Sequence, residues 1–380
     1  MRVVVIGAGP VGLHAGVAAR GRGHEVVVFE AHDVAHHVRQ WGHIRLFTPW
    51  SMVVTPYGLA AAGLALDVPD ATPTGAELVS DYLEPLASVL DVRPHTSVVQ
   101  VGRRTLGKAD APGSPSRVRD RFRVLVQTPD GLDVEVSDAV LDCTGVFADP
   151  APAGAGGLLA PGEARARTLG LVRYGPLDVE DLAGRSVLVV GDGASGATVV
   201  DQLLGLEPAG RVHWLGRDPA GPGFEAEPDD LPERSRLHQR LIAARESIDV
   251  VGGVQVERMH DSVDGLRVTL TDGRRLLVDH LVACTGFRAD HRLTRELHRT
   301  ASWVTEGPAA IAEFLQGLPT DRLAETDLPP QSVAHPEPNF FVLGHKSFGR
   351  RPDFLLATGY RQIEAALDRL TEPSGHADGE

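Results

Sequence analysis

The sequence predicts an α/β protein of two domains with parallel sheets, the second inserted into the first. Three observations carry this. A β-branched run followed by Gly-x-Gly-x-x-Gly and a helical pattern occurs twice, from Val3 and from Val187. Further along, each is answered by a short apolar strand ending in Cys-Thr-Gly, at 143–145 and 284–286. A last apolar run, Asn339 to Gly344, precedes a C-terminal helical pattern, as expected of a chain returning to its first sheet. Strands alternating with helices in this way make doubly wound sheets.

The first unit reads as strand, turn, helix, strand, acid. Val3–Ile6 is the strand. Gly7 permits the sharp turn, Gly9 lets a pyrophosphate approach the backbone, and Gly12 lets the helix from Val11 to Arg20 pack on the strand. The first turn of that helix offers unbonded N–H groups and a positive dipole end. The strand Glu25–Phe29 then closes at Glu30, where a carboxylate accepts hydrogen bonds from a ribose 2′-hydroxyl. A carboxylate there repels a 2′-phosphate, so the first nucleotide is expected to be FAD or NAD rather than NADP. This gives a Rossmann-like dinucleotide-binding domain.

His32, His36, His37 and His43 crowd the next stretch, but their spacing matches no metal set and none is expected. Arg39, Gln40 and Trp41 fall where a loop would pass over the dinucleotide. Arg39 would pair with a phosphate and Trp41 would cover an aromatic ring; a surface arginine and a core tryptophan are the open alternatives. Ile44–Tyr57 is aromatic-rich with two prolines and is expected to be a rigid, irregular loop. Within it Trp50, Met52 and Tyr57 are candidates to line a substrate pocket, with core packing the alternative.

Thr74 and Glu77 form a capping-box pattern before a helix reaching about Leu90, kinked at Pro85. Ser97–Gly102, Arg121–Gln127 and Leu132–Val136 alternate as strands, with a mobile loop expected over Thr105–Asp120. The strand from Asp138 ends at Gly145, and its repeat from Asp279 ends at Gly286. Cys143 and Cys284 occupy the same place in these repeats, which makes them packed strand residues and not a redox pair.

Pro150–Pro161 reads as a linker. The second fingerprint follows: strand Val187–Val190, turn Gly191, Gly193, Ser195 and Gly196, helix Ala197–Leu204, strand Val212–Leu215. This strand ends in Gly216-Arg217 instead of an acid. An arginine there neutralises a 2′-phosphate, so the second nucleotide is expected to be NADP(H); a solvated arginine beside Asp218 is the alternative. Two nucleotides of opposite 2′ preference imply a flavoprotein that takes hydride from NADPH.

Of the remainder, Glu225–Glu233 reads as an acidic loop, 265–278 as a hairpin, Arg288–Arg299 as a helix, and Ala301–Ala324 as a possible helix. A final helix is expected from about Asp353 to Leu370, with a disordered tail after Thr371. FAD is assigned to residues 1–155 and 326–380, and NADPH to 156–325.

The composition sets bounds. The 380 residues carry 37 Lys plus Arg and 51 Asp plus Glu, a net charge of −14. That sign argues against nucleic acid and acidic lipid as partners. No apolar run approaches the ~20 residues of a membrane span. A cytoplasmic protein is expected, with homo-oligomers allowed. Two cysteines provide neither a disulfide framework nor a zinc site.

With these motifs placed, the chain resembles the two-dinucleotide-binding flavoproteins, and among them the class B flavin-dependent monooxygenases of the flavin-containing and N-hydroxylating kind. The resemblance implies that Gly7, Gly9, Gly12, Glu30, Gly145 and the Arg39-Gln40-Trp41 segment hold FAD. It implies that Gly191, Gly193, Ser195, Gly196, Arg217 and Gly286 hold NADPH. Gly344 closes the flavin domain, with His345 and Lys346 facing the flavin or the cofactor junction. In such a fold the last helix N-terminus stabilises negative charge on the flavin pyrimidine. The family further implies that NADPH reduces FAD, O₂ adds at the flavin C4a, and the resulting peroxide oxygenates a small metabolite at nitrogen, sulfur or a similar centre. Its Phe-x-Gly-x-x-x-His motif is missing. The comparable stretch Arg167–Tyr174 has no histidine, which argues against Baeyer–Villiger chemistry. The missing cysteine pair argues against the disulfide-reductase branch. A reductase passing electrons to an acceptor and a non-catalytic FAD- and NADP(H)-binding module are the competing readings. No catalytic side chain is assigned, because in this chemistry the protein mainly positions the cofactor.

Overall fold

A computed structural model describes residues 1–175, 177–222, 231–318 and 326–370. The acidic stretch up to Asp230, the far end of the possible helix toward Ala324 and the tail after Thr371 lie outside the described residues. The strands before the insertion are β1 (Arg2–Ile6), β2 (Glu25–Phe29), β3 (Asp91–Arg93), β4 (Ser97–Arg103), β5 (Phe122–Thr128), β6 (Gly131–Ser137) and β7 (Ala139–Asp142). Those of the inserted part are β8 (Val172–Tyr174), β9 (Ser186–Val190), β10 (Arg211–Leu215), β11 (Ile248–Val251), β12 (Val256–Ser262), β13 (Gly265–Leu270), β14 (Arg275–Val278) and β15 (His280–Ala283); β16 (Phe340–Val342) follows it. The helices that position the two glycine turns and close the chain are α1 (Pro10–Gly21), α2 (Ala194–Leu204) and α3 (Leu356–Leu367); a further helix spans Pro232–Ala243.

The first unit, Met1–Asp149 with Arg288–Glu380, is built on a parallel sheet in the order β16-β7-β1-β2-β3. The second, Pro150–Phe287, has the order β11-β10-β9-β15-β8, also parallel. The two plans correspond strand for strand, except that the outermost partner of β7 comes from the C-terminal part and that of β15 from just before the unit's first turn. An antiparallel three-stranded meander accompanies each sheet, β4-β5-β6 and β12-β13-β14.

Strand periodicity explains why β1 is apolar on both sides. Val3 and Val5 join Leu13 of α1 and Ile363 of α3 in one core, while Val4 and Ile6 join Val101, Phe122 and Val124 of the meander in another. In the second unit Leu188, Val190 and Leu281 pack with Leu266 and Val268 of its meander.

Several expectations are corrected. The units change at 150 and 288, not at 156 and 326. Leu297 belongs to the first unit's meander core, and Ile311 and Leu315 pack on Phe348. Only a short turn, Arg292–Thr294, is helical in the segment expected as a helix from Arg288, and the next helix spans Ala309–Leu315. The loop after Thr105 is fastened: Arg117 is buried and, with Arg103, pairs with buried Glu337 at 2.8 Å each. The stretch up to Tyr57 is not wholly irregular. It holds a helical turn at Trp50–Val53, and a helix over Pro56–Ala62 that Thr55 caps by accepting from Gly58 N–H at 3.0 Å. The supposed linker is tied down by buried Glu163, which accepts from Ala153 and Ala160 N–H at 2.7 and 2.8 Å. The Thr74–Glu77 capping box forms, and the helix passes Pro85 through a wide π-helical turn at Val79–Leu83 that accommodates its missing N–H. Among the described residues no helix is long and apolar enough to cross a membrane.

Candidate functional site

The three glycines of the first turn are required for different reasons. Gly7 has φ +98°, and a Cβ there would also lie 2.8 Å from Cys143 O at the end of β7. A Cβ on Gly12 would collide with Gly7 O. Gly9 caps α1 in an extended conformation, and a Cβ on it would meet nothing within 4 Å. Two glycines therefore serve packing, and the third keeps open the space before the helix N-terminus. Pro10 takes the first helical position, where an N–H is not needed. Glu30 accepts from Ala8 N–H at 2.8 Å and from His32 N–H at 3.0 Å, so the acid is fixed beside the turn. Gly145 at φ +67° follows β7 with open space around it, and Gly344 at φ +74° packs against Val11.

Beyond Gly344 lies a feature the sequence did not reveal. Lys346 and Asp142 are both buried, with Lys346 Nζ donating to Asp142 at 2.6 Å and to Thr144 Oγ1 at 2.9 Å. A buried cation demands such a partner. Thus Lys346 anchors the Thr144-Gly145 turn to the strand end, rather than projecting freely. His345 stacks on Phe354, its Nε2 lies 3.2 Å from Arg351 O, and burial pushes its pKa down. The residues after Gly344 form only a four-residue turn, His345–Phe348, and the last long helix begins at Leu356.

Arg39 donates to Val34 O at 2.8 Å and pairs with Glu84 at 2.6 Å. Gln40 is exposed and bonds His36 and His37. Trp41 lies against Gly75 at the start of the capped helix, packed at the edge of the core. Trp50 and Tyr57 are half-buried at the same core, and Met52 is half-buried on the turn between them. Tyr57 stands edge-on to His14, which is fully buried in α1. His14 Nε2 meets Tyr82 Oη at 2.8 Å and Nδ1 meets Pro10 O at 2.6 Å; burial lowers its pKa to about 4.

The second turn repeats the first. Gly191 has φ +120° and packs on Cys284 O, Gly196 packs on Gly191 O, and a Cβ on Gly193 would meet nothing within 4 Å. Ser195 stands in the first turn of α2. Gly286, φ +89°, follows β15 as Gly145 follows β7. Arg217 is exposed just past β10, and its N–H donates to Asp192 Oδ2 at 3.2 Å. Asp218 accepts from Ala220 N–H at 2.8 Å within its own turn.

Both cysteines are free thiols. Burial pushes the Cys284 pKa up to about 12 and raises that of Cys143 further, so neither is a thiolate near neutrality. Among the described residues no three His, Cys, Asp or Glu side chains are placed to share a metal ion.

The sequence matches no protein-family model and no curated protein sequence. Solved structures do match. A bacillithiol disulfide reductase from Bacillus cereus is 20% identical, with a TM-score of 0.68 over 97% of this chain and 98% of that one. A flavin-containing monooxygenase from Stenotrophomonas maltophilia is 20% identical, with a TM-score of 0.61 over 97% of each chain. The ornithine N-hydroxylase of Kutzneria sp. 744, in complex with reduced FAD, NADP⁺ and L-ornithine, is 18% identical, with a TM-score of 0.62 over 97% and 98%. The chain therefore has the fold shared by these flavoproteins: two Rossmann-like units, one inserted into the other.

Proposed function

We propose that this chain is an FAD-dependent oxidoreductase that consumes NADPH and oxygenates a small metabolite at nitrogen, sulfur or a similar soft centre. The observation that carries the reading is the pair of matching glycine turns with opposite side chains at their strand ends, Glu30 in one and Arg217 in the other. The residues present fit the groups. Gly9 and Gly193 leave the phosphate approach clear, and the first turns of α1 and α2 offer N–H groups to it. Glu30 keeps lone pairs for a ribose diol, while Arg217 supplies the cation a 2′-phosphate needs. Bound FAD would supply hydride acceptance and reactivity toward O₂. The chain's own work is to bind and orient: Lys346 and Asp142 hold the Thr144-Gly145 turn in place, and Phe354 together with the Arg351 carbonyl holds the neutral His345 ring.

Oxygenation is preferred to disulfide reduction because Cys143 is buried, Cys284 is half-buried, and the desolvation that raises both thiol pKa values leaves no thiolate to attack a disulfide near neutrality. Electron delivery to an acidic carrier is disfavoured because the basic pair that could receive it is neutralised: Arg350 pairs with Glu306 and Arg351 with Asp353, each at 2.6 Å. The test is oxygen dependence. NADPH oxidation should require O₂ and yield an oxygenated product; anaerobic turnover of an electron acceptor at the full rate refutes the monooxygenase reading. Flavin that NADPH does not bleach would favour a binding module.

A further inference from the structure

The second turn contains a carboxylate that its strand-end pattern does not call for. Strand register equates Ile6 and Phe29 of the first unit with Val190 and Leu215 of the second, so Glu30 corresponds to Gly216 and Ala8 to Asp192. Gly216 carries no side chain, and its surroundings are tight: a Cβ there would lie 3.1 Å from Pro222 and 3.2 Å from Asp192 Oδ2. In the first turn the Ala8 N–H donates to the strand-end carboxylate at 2.8 Å; in the second the bond is reversed, and Asp192 accepts from Arg217 N–H at 3.2 Å. Both units therefore have a carboxylate bridging glycine turn and strand end, donated by the strand in one and by the turn in the other.

We infer that Asp192 is a specificity-determining residue which opposes Arg217, so that the second site admits NADH as well as NADPH. The inference rests on the proposal that this turn binds a nicotinamide dinucleotide. A ribose 2′-hydroxyl there donates to Asp192 in the way expected at Glu30. A 2′-phosphate in the same place gains the Arg217 guanidinium and meets the Asp192 carboxylate, which lies 3.2 Å from the Arg217 backbone nitrogen.

The test is calorimetric titration of the purified full-length protein with NADP⁺ and with NAD⁺, comparing wild type, Asp192→Asn, Asp192→Ala and Arg217→Ala. Asparagine keeps an oxygen for the Arg217 N–H and removes the charge. Asp192→Asn should tighten NADP⁺ by about tenfold and leave NAD⁺ unchanged or weaker, and Asp192→Ala should move the ratio the same way. Arg217→Ala should weaken NADP⁺ with little effect on NAD⁺. An NADP⁺ to NAD⁺ ratio unchanged by both Asp192 variants, while Arg217→Ala still costs NADP⁺, overturns the role of Asp192 and leaves the nucleotide assignment standing. Wild-type protein that binds neither nucleotide overturns both.

Discussion

Replacing Gly9 and Gly12 separately with alanine should separate binding from folding. Gly9 has φ −81° and ψ −176°, which alanine adopts without strain, and its Cβ would meet nothing within 4 Å. The loss of a favourable capping glycine and the reduced entropy of the unfolded chain nearly offset each other, so the flavin-free protein should keep its stability within about 1 kcal/mol. The methyl group would nevertheless stand in the approach to the α1 N-terminus. Loss of a single charge-assisted hydrogen bond between backbone and phosphate, about 1.5–3 kcal/mol, would raise the FAD dissociation constant roughly 10- to 100-fold. Gly12→Ala acts differently. Its Cβ would collide with Gly7 O, a backbone atom that cannot move alone, and destabilisation of about 3 kcal/mol or more is expected. Flavin titration by absorbance and thermal melts of the stripped proteins measure the two effects. Wild-type flavin affinity in Gly9→Ala would refute the assignment of this turn to a pyrophosphate, and wild-type stability in Gly12→Ala would refute the packing argument.

Removing Lys346 should be costly, since Lys346→Met strands a buried carboxylate at Asp142; urea unfolding should show a loss of about 3–5 kcal/mol, largely recovered by adding Asp142→Leu. His14 gives a pH dependence whose sign follows from its depressed pKa: the neutral ring's stabilisation is complete above the unfolded pKa near 6.5 and is lost as pH falls toward about 4, worth about 3 kcal/mol in all. Urea midpoints measured from pH 7 to 4 should fall less steeply in His14→Gln; identical slopes would remove His14 from the account. Neither Cys143 nor Cys284 should react with a thiol reagent until the protein unfolds, and prompt labelling of native protein would reopen disulfide chemistry.

The sequence disclosed most where local chemistry admits one solution. Gly7 and Gly191 had to be glycines because of their positive φ, and Gly12 and Gly196 because a backbone oxygen occupies the place of a Cβ; the pattern alone announced them. The β7 and β15 repeats were legible for the same reason, since short parallel strands buried on both faces must be apolar. What stayed hidden depends on partners distant in sequence. The pairing of Lys346 with Asp142, and of Arg103 and Arg117 with Glu337, spans more than 200 residues in each case, and a basic residue just after a glycine or within a polar loop carries no sign of burial. The Thr55-Pro56 cap was a local signal of a helix, outweighed by the two prolines and the aromatics around it. The reversed hydrogen bond of Asp192 appears only when the second turn is set against the first.

We propose that the first glycine turn holds FAD and the second binds the reduced nicotinamide dinucleotide that reduces it. The visible spectrum of the purified protein, recorded anaerobically before and after NADPH is added, tests this most directly. Flavin absorption should be bleached by NADPH and should return when air is admitted. A colourless protein that takes up no FAD on reconstitution would contradict it.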